Sequence, residues 1–254
     1  MTSVEVKMKR NLLYALCLIL CLALSGCGNY KNTYSIDKEV EYIEEITGSE
    51  LDKMIEDLSK EDLIGSFRLT GEIVFKKSTT IKTSYDGEFI FAKEEDGKIV
   101  FSEINTIKVS SFNEDKTNRY YVKDNYLYSI NSKGEQEKKY IDKPYMTLDV
   151  STLATVFNLK KLISDVNKQY EKITIKCGYD SFLNLILEID VPSENSEINK
   201  YRFLYKDNNL VYFCYKIASS DESICTYVEM TIDYKDVELK YPEVFVFEEE
   251  KETE

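Results

Sequence analysis

Residues 66–76 read SFRLTGEIVFK, and their reading decides the fold. Phe67, Leu69, Gly71, Ile73 and Phe75 alternate with Arg68, Thr70, Glu72 and Val74. A period of two sends the first set to one side of an extended chain and the second to the other, which is the pattern of a strand with one face in a core. Working outward, the same alternation runs through residues 83–92 and 98–109, with residues 94–97 (EEDG) as the turn between them. Asp86-Gly87 resembles a hairpin turn, but the later site leaves longer strands on either side. Residues 118–122 and 126–130 flank Lys123-Asp124-Asn125, and residues 135–141 offer one more short strand. No helical stretch separates these strands, so they are expected to pair as antiparallel meanders.

Two helical patterns bracket this block. Leu51, Met54, Ile55 and Leu58 follow a capping-box-like start at Ser49 and Asp52 and predict an amphipathic helix ending near Lys60, with a helical turn over residues 36–46 before it. After Pro144, a cap at Asp149 or Ser151 is expected to open a helix over residues 152–170. Its apolar residues Leu153, Val156, Phe157, Leu159, Leu162, Ile163 and Val166 cover a wide face that should pack deeply on a sheet. A second set of strands is predicted at 171–177, 181–191, 199–205, 210–218 and 224–234. RFLYKDNNLVYF from Arg202 echoes RYYVKDNYLYSI from Arg119, both with Lys-Asp-Asn at the turn, and the shared preference of hairpins for Asp and Asn accounts for most of that echo.

The composition excludes several functions. The chain has 254 residues with 33 Lys+Arg, 46 Asp+Glu and no His, which removes the commonest general base and the commonest zinc ligand. No Ser-His-Asp or Cys-His arrangement can form, no Gly-rich phosphate loop occurs, and no run of carboxylates has the spacing of a calcium loop. The chain also has no Trp, the usual sugar-stacking surface. A non-enzymatic protein without cofactor or metal is therefore expected, and its acidic surface argues against nucleic acid as a partner.

The first residues set the compartment. Lys7, Lys9 and Arg10 precede an uncharged apolar stretch over residues 12–24 (LLYALCLILCLAL), shorter than the roughly 20 residues a membrane span needs. This order reads as a signal peptide. Leu24-Ser25-Gly26-Cys27 fits the bacterial lipobox, so Cys27 is expected to receive a diacylglyceryl thioether, cleavage to follow Gly26, and the protein to sit on the outer face of the cell membrane. Loss of residues 1–26 takes the formal net charge from −13 to −15. Translation from Met8 instead of Met1 leaves this reading unchanged. With few Arg and abundant Lys, Asn, Ile and Tyr, the chain suits a low-GC Gram-positive bacterium. The expected division is residues 1–26 signal peptide, 27–47 lipidated cysteine and polar tether, 48–247 folded domain and 248–254 acidic tail.

Lipobox, tether, amphipathic helix, long antiparallel strands, central apolar helix and further strands, ending in Thr231-Ile232-Asp233-Tyr234 and Tyr241-Pro242-Glu243, together resemble the LolA-like superfamily of lipoprotein carriers and its Gram-positive lipoprotein relatives. The resemblance implies an α+β fold: a strongly curved antiparallel sheet, an unclosed half-barrel, with an N-terminal helix and a central lid helix. It also implies lipid or another hydrophobic ligand held between sheet and lid. On that reading Phe157 and Ile163 border a groove with Phe89, Phe101 and Phe203. The alternative is an envelope lipoprotein that binds another protein and takes no small ligand.

Cys214 and Cys225 are expected on the same sheet face. A two-residue turn at Ser219-Ser220 would set them opposite each other, where a disulfide fits; free thiols are the other option. Cys177 reads as a buried apolar residue. Tyr120, Tyr121, Tyr126, Tyr128, Tyr201, Tyr205, Tyr212 and Tyr215 crowd the two hairpins, either lining a pocket or filling half-exposed strand positions.

Overall fold

The computed structural model of the chain describes residues 30–59, 65–93, 99–111, 115–123, 126–140, 157–169, 173–192, 198–219 and 221–234. Cys27, the 94–97 turn, Asp124-Asn125, Asp149, Ser151 and the tail all lie outside the described residues. Among the described residues, three helices and twelve strands follow in chain order: α1 (Tyr30–Tyr34), β1 (Glu44–Glu45), α2 (Gly48–Leu58), β2 (Gly65–Lys76), β3 (Thr80–Lys93), β4 (Ile99–Val109), β5 (Lys116–Lys123), β6 (Tyr126–Ile130), β7 (Gln136–Tyr140), α3 (Leu159–Gln169), β8 (Thr174–Tyr179), β9 (Leu185–Pro192), β10 (Ile198–Lys206), β11 (Asn209–Ala218) and β12 (Cys225–Asp233).

All twelve strands join one antiparallel sheet in the order β1-β8-β9-β10-β11-β12-β2-β3-β4-β5-β6-β7. The two meanders meet where β12 pairs with β2 through Met230 opposite Gly71 and Ile232 opposite Leu69. The sheet does not close, so the expected unclosed half-barrel of α+β class is what forms. Its two edges are blunted differently. β1 is only two residues long, whereas β7 is fully exposed and carries Glu137, Lys138 and Lys139, charges that discourage pairing with another chain.

Both longer helices lie on one face, here called the inner face. Leu51, Met54, Ile55 and Leu58 of α2 and Leu159, Leu162, Ile163 and Val166 of α3 pack with Phe67, Leu69, Phe89, Phe203, Phe213 and Ile232 in one continuous core. The ends of the helices differ from expectation. Thr47, in extended conformation, precedes α2 without a side-chain cap, so Ser49 and Asp52 belong to the helix and do not cap it. Asn158 caps α3, its Oδ1 accepting the Lys161 amide at 3.0 Å. The described helix starts at Leu159, and residues 152–156 of the expected helix, with Leu153 and Val156, lie outside the described residues. Ser59 couples the two helices: its hydroxyl donates to Ile55 O and accepts from the Lys160 amide.

The outer face is covered too. From Tyr30 onward the expected tether is docked, and the helical turn expected over 36–46 is an irregular strap that ends by adding β1 to β8. Tyr34 and Ile36 of the strap form a second core with Ile186, Leu204, Tyr212 and Cys214.

Candidate functional site

The inner face can be followed as rows across the strands. One row runs Phe67, Phe89, Glu103, Tyr120, Ser129. Phe67 stacks on Phe89 with ring centroids 5.1 Å apart, and Phe157 lies 5.5 Å from Phe67. Phe89, Phe157 and Phe203 are buried, Ile163 is half-buried, and all four belong to the same packed core. Phe101 occupies the position opposite Phe91 and Val122; its side chain lies outside what the structure describes. The residues expected to border a groove are thus brought together where described, in one core in which Phe157 packs on Phe67.

In that wall sits a polar cluster that sequence reasoning missed. Glu103 is fully buried and accepts a hydrogen bond from Tyr85 Oη at 2.7 Å and another from Asn105 Nδ2. Asn118 Nδ2 donates to Asn105 Oδ1 at 3.2 Å. Gly87 makes this possible: a Cβ there would stand 2.5 Å from Tyr85 Oη and 2.8 Å from its ring, so the ring lies across the glycine to reach Glu103. Burial, reinforced by the Glu103 charge, pushes the Tyr85 phenol far above its ordinary pKa. The signal was present in FSEIN, residues 101–105, where Glu103 and Asn105 stand at inward positions of the alternation. Chemically the cluster is a set of polar groups within an apolar wall, with no nucleophile–base pair.

Further along the strands the inner face carries apolar side chains that the described helices leave exposed. Ile217, Thr226, Phe75 and Ile81 form its outermost row, with Ile224 beside it. Phe75, Ile81, Ile217 and Ile224 are 39%, 38%, 40% and 46% exposed. The next row inward holds Tyr215, Val228 and Ile73, and Tyr201 packs on Tyr215 at 5.8 Å. The tyrosines of the two hairpins do not line one pocket: Tyr201 and Tyr205 belong to the inner core and Tyr212 to the outer one.

On the outer face the strap is fastened by two cations. Arg202, 2% exposed, donates through Nε and Nη2 to Glu188 Oε1, at 2.9 and 2.6 Å. It also donates to the carbonyls of Tyr34 (3.0 Å), Ser35 (2.5 Å) and Lys38 (2.6 Å). Tyr42 Oη takes the other oxygen of Glu188 at 2.7 Å. Lys216 bridges Asp37 of the strap and Glu222 of the β11–β12 turn, at 2.8 and 3.0 Å. Burial lowers the Lys216 pKa, but these two carboxylates outweigh it and hold the ammonium above its ordinary value. Between strap and sheet lies a cleft of about 1030 Å³ whose walls mix acids and bases, among them Lys38, Glu41, Lys176, Asp190 and Lys200.

The cysteines among the described residues are free: Cys177 and Cys214 are buried, and Cys225 is half-buried. The register sets Cys214 opposite Glu229 and Cys225 opposite Ala218, so the expected disulfide geometry is not formed. The turn spans residues 219–224, built by Ser219 and Asp221, and is longer than the two residues expected. The thiols stand four positions apart along the strands, about 13 Å, beyond the reach of a disulfide. Burial pushes the Cys177 thiol up to about 11 and the Cys214 thiol up to about 12, which makes both inert. Among the described residues no group of three or more Cys, Asp or Glu is arranged to hold a metal ion.

No protein-family model matches the chain, and no curated protein matches it. Three solved structures share parts of its course. A DUF1329 family protein from Desulfovibrio piger is 12% identical, with TM-score 0.33, covering 74% of this chain and 92% of its own. The S-type phycobiliprotein lyase CPES from Guillardia theta is 7% identical, with TM-score 0.26, covering 74% and 93%. A β-barrel-like DUF1849 protein from Brucella abortus is 9% identical, with TM-score 0.25, covering 68% and 99%. At these identities and scores the likeness passes neither a family nor a function to this chain.

Proposed function

We propose that this is a lipid-anchored extracytoplasmic binding protein, held on the outer face of the cell membrane by acylated Cys27 and carrying a hydrophobic ligand on the inner face of its half-barrel. The observation that carries the ligand is the exposed outermost row of the inner face, where Phe75, Ile81 and Ile217 stand with Thr226 and Ile224 lies beside them. Exposed apolar residues gathered at one edge of the face, with half-buried Tyr201 and Tyr215 behind them, suit an acyl chain or another flexible apolar group. The ligand would then lie at the mouth of the barrel, not beneath Phe157. LolA-like carriers, which the sequence resembles, hold lipid on the same side of a curved sheet. The absence of histidine supports a binding role over an enzymatic one.

A protein partner is the second reading, and the charged cleft under the strap favours it, since mixed acids and bases suit a polar peptide better than a lipid tail. A fluorescent fatty acid titrated into the full chain separates the two. Saturable uptake that Phe75→Asp and Ile217→Asp weaken, with unchanged thermal unfolding, supports the ligand. Absence of saturable uptake by a folded protein removes it and leaves the cleft.

A further inference from the structure

The β8–β9 hairpin ends in Asp180-Ser181-Phe182-Leu183-Asn184, and two of its side chains stand almost wholly in solvent: Phe182 is 73% exposed and Leu183 74%. Ile43, whose amide donates to Tyr179 O at 2.8 Å, is 61% exposed beside them. Single exposed apolar residues are ordinary, but three large ones at one tip are not.

The tip is also built. Asp180 is 5% exposed, and its Oδ1 accepts the amides of Phe182 and Asn184 at 2.9 and 3.0 Å. The Leu183 amide returns to Asp180 O at 3.0 Å, and Leu183 is held at φ 60. That is the left-handed region, where a turn ordinarily uses glycine or asparagine and a bulky residue is strained. Leucine at this point accepts backbone strain and sets an apolar side chain at the apex.

The chain that leads to the proposed lipid arrives at the same tip. Tyr34 Oη donates to Asp180 Oδ2 at 2.5 Å and accepts from Asn184 Nδ2 at 2.8 Å. Tyr34 closes α1, whose first residue follows Cys27 by three positions. Three residues at full chain reach, one helical turn and a tyrosine side chain set an upper limit of roughly 25 Å between Cys27 and Asp180. A bilayer that holds acyl chains on Cys27 is therefore within reach of the end of the sheet that carries Phe182 and Leu183.

We propose that Phe182 and Leu183, with Ile43, form a second membrane contact, entering the bilayer interface beside the lipid on Cys27 and setting the orientation of the half-barrel above it. For the position of the bilayer, the proposal rests on the lipid-anchor reading. The tip has no basic residue, so its insertion needs no anionic lipid, and the processed chain, of formal net charge −15, is repelled by an anionic surface. The surface that fits is a zwitterionic bilayer, contacted through apolar side chains at the depth of the headgroups.

The chain has no tryptophan, so Phe182→Trp supplies a lone reporter. The full chain, expressed in a bacterium that processes lipoproteins, is purified from its membrane, checked for acylation by mass spectrometry and reconstituted in phosphatidylcholine vesicles. Lys133→Trp, in the exposed β6–β7 turn at the opposite end of the strands, is the control. The expected result is a blue-shifted emission from the indole at position 182, quenched by bromine-labelled phosphatidylcholine several-fold more than the indole at position 133. Acylated, vesicle-bound protein whose tip indole is quenched no more than the control overturns the tip contact and leaves the anchor standing, and a protein partner becomes the better occupant of the tip. Unacylated protein whose tip indole is still quenched keeps the tip and removes the anchor. Unacylated protein free of vesicles removes both.

Discussion

Arg202→Ala tests whether one buried guanidinium holds the strap to the outer face. The side chain makes five hydrogen bonds, two to Glu188 and three to main-chain carbonyls of Tyr34, Ser35 and Lys38. It is 3% exposed and Glu188 23%. Truncation takes the guanidinium from a mostly buried carboxylate and from three carbonyls, the situation in which removing one partner of a buried pair costs about 3–5 kcal/mol. The bonds are not additive, so summing five charged hydrogen bonds of about 1.5–3 kcal/mol each would overshoot. If the loss falls on the strap alone, its open population rises by a factor of roughly 100 to 1000 or more. Hydrogen exchange at the Lys38 and Ile43 amides, which bond to Ser35 O and Tyr179 O, should accelerate accordingly while amides of central β10 keep their protection. Arg202→Lys should fall between, because a single ammonium cannot span three carbonyls and a carboxylate as a planar fork does. A cost under about 1 kcal/mol, the range of an exposed ion pair, with strap exchange unchanged would refute the clamp.

Tyr205 is buried and its hydroxyl finds no hydrogen-bond partner among the described residues, so Tyr205→Phe should leave urea stability unchanged or raise it by up to about 2 kcal/mol; Tyr212→Phe, which strips a 2.6 Å bond from buried Glu229, should cost about 1.5–3 kcal/mol. Gly87→Ala should drive the Tyr85 ring off Glu103 at a cost of about 1–3 kcal/mol, and in a double-mutant cycle with Tyr85→Phe the two losses should fail to add. Stability should also fall at alkaline pH. The Lys216 ammonium and the phenols of Tyr34 and Tyr42 all have folded pKa values raised above their unfolded ones, the phenols chiefly by burial. Their contribution is complete below about pH 10, where the unfolded chain is still protonated, and is lost as pH rises through the folded values. Urea midpoints should hold up to that pH and drop beyond it with the growth of tyrosinate absorbance; a midpoint that stays flat while tyrosinate forms would contradict this.

The inner face was legible because alternation reports one buried side. Phe67, Leu69 and Phe89 were placed correctly, and so was the reading of Asp86-Gly87 as strand interior. The turn at Asp207-Asn208, with φ of 50 and 60, is the tight hairpin that Lys-Asp-Asn announced. The β11–β12 turn was misread because Ser219-Ser220 looks sufficient as a connection, while Asp221, binding Ser219 Oγ and the Ser223 amide, builds a longer one. The resulting slip is four residues, an even number, so each side chain kept its face and only the pairing of Cys214 with Cys225 was lost. The cap at Asn158 was hidden for a different reason. Asn158 interrupts an apolar pattern that continues on both sides, and its capping role depends on a local geometry that periodicity does not encode.

The strap shows what alternation leaves out. Residues 185–189 (LILEI), 203–205 (FLY) and 211–215 (VYFCY) are nearly continuous apolar runs, the mark of strands covered on both faces. They required a cover for the outer face, and the only chain near enough in the described fold is the polar stretch from Tyr30, whose Tyr34 and Ile36 supply it. A segment with so few apolar residues cannot be held by burial alone against the entropy of ordering it, so the cations beneath must contribute, and Arg202 and Lys216 occupy outward strand positions where alternation predicts solvent. The consequence for function follows from chain order. On the lipid-anchor reading, whatever pulls on Cys27 pulls first on α1 and then on the Arg202 clamp, so the half-barrel is coupled to its membrane attachment through a buried charge network and not through a free tether.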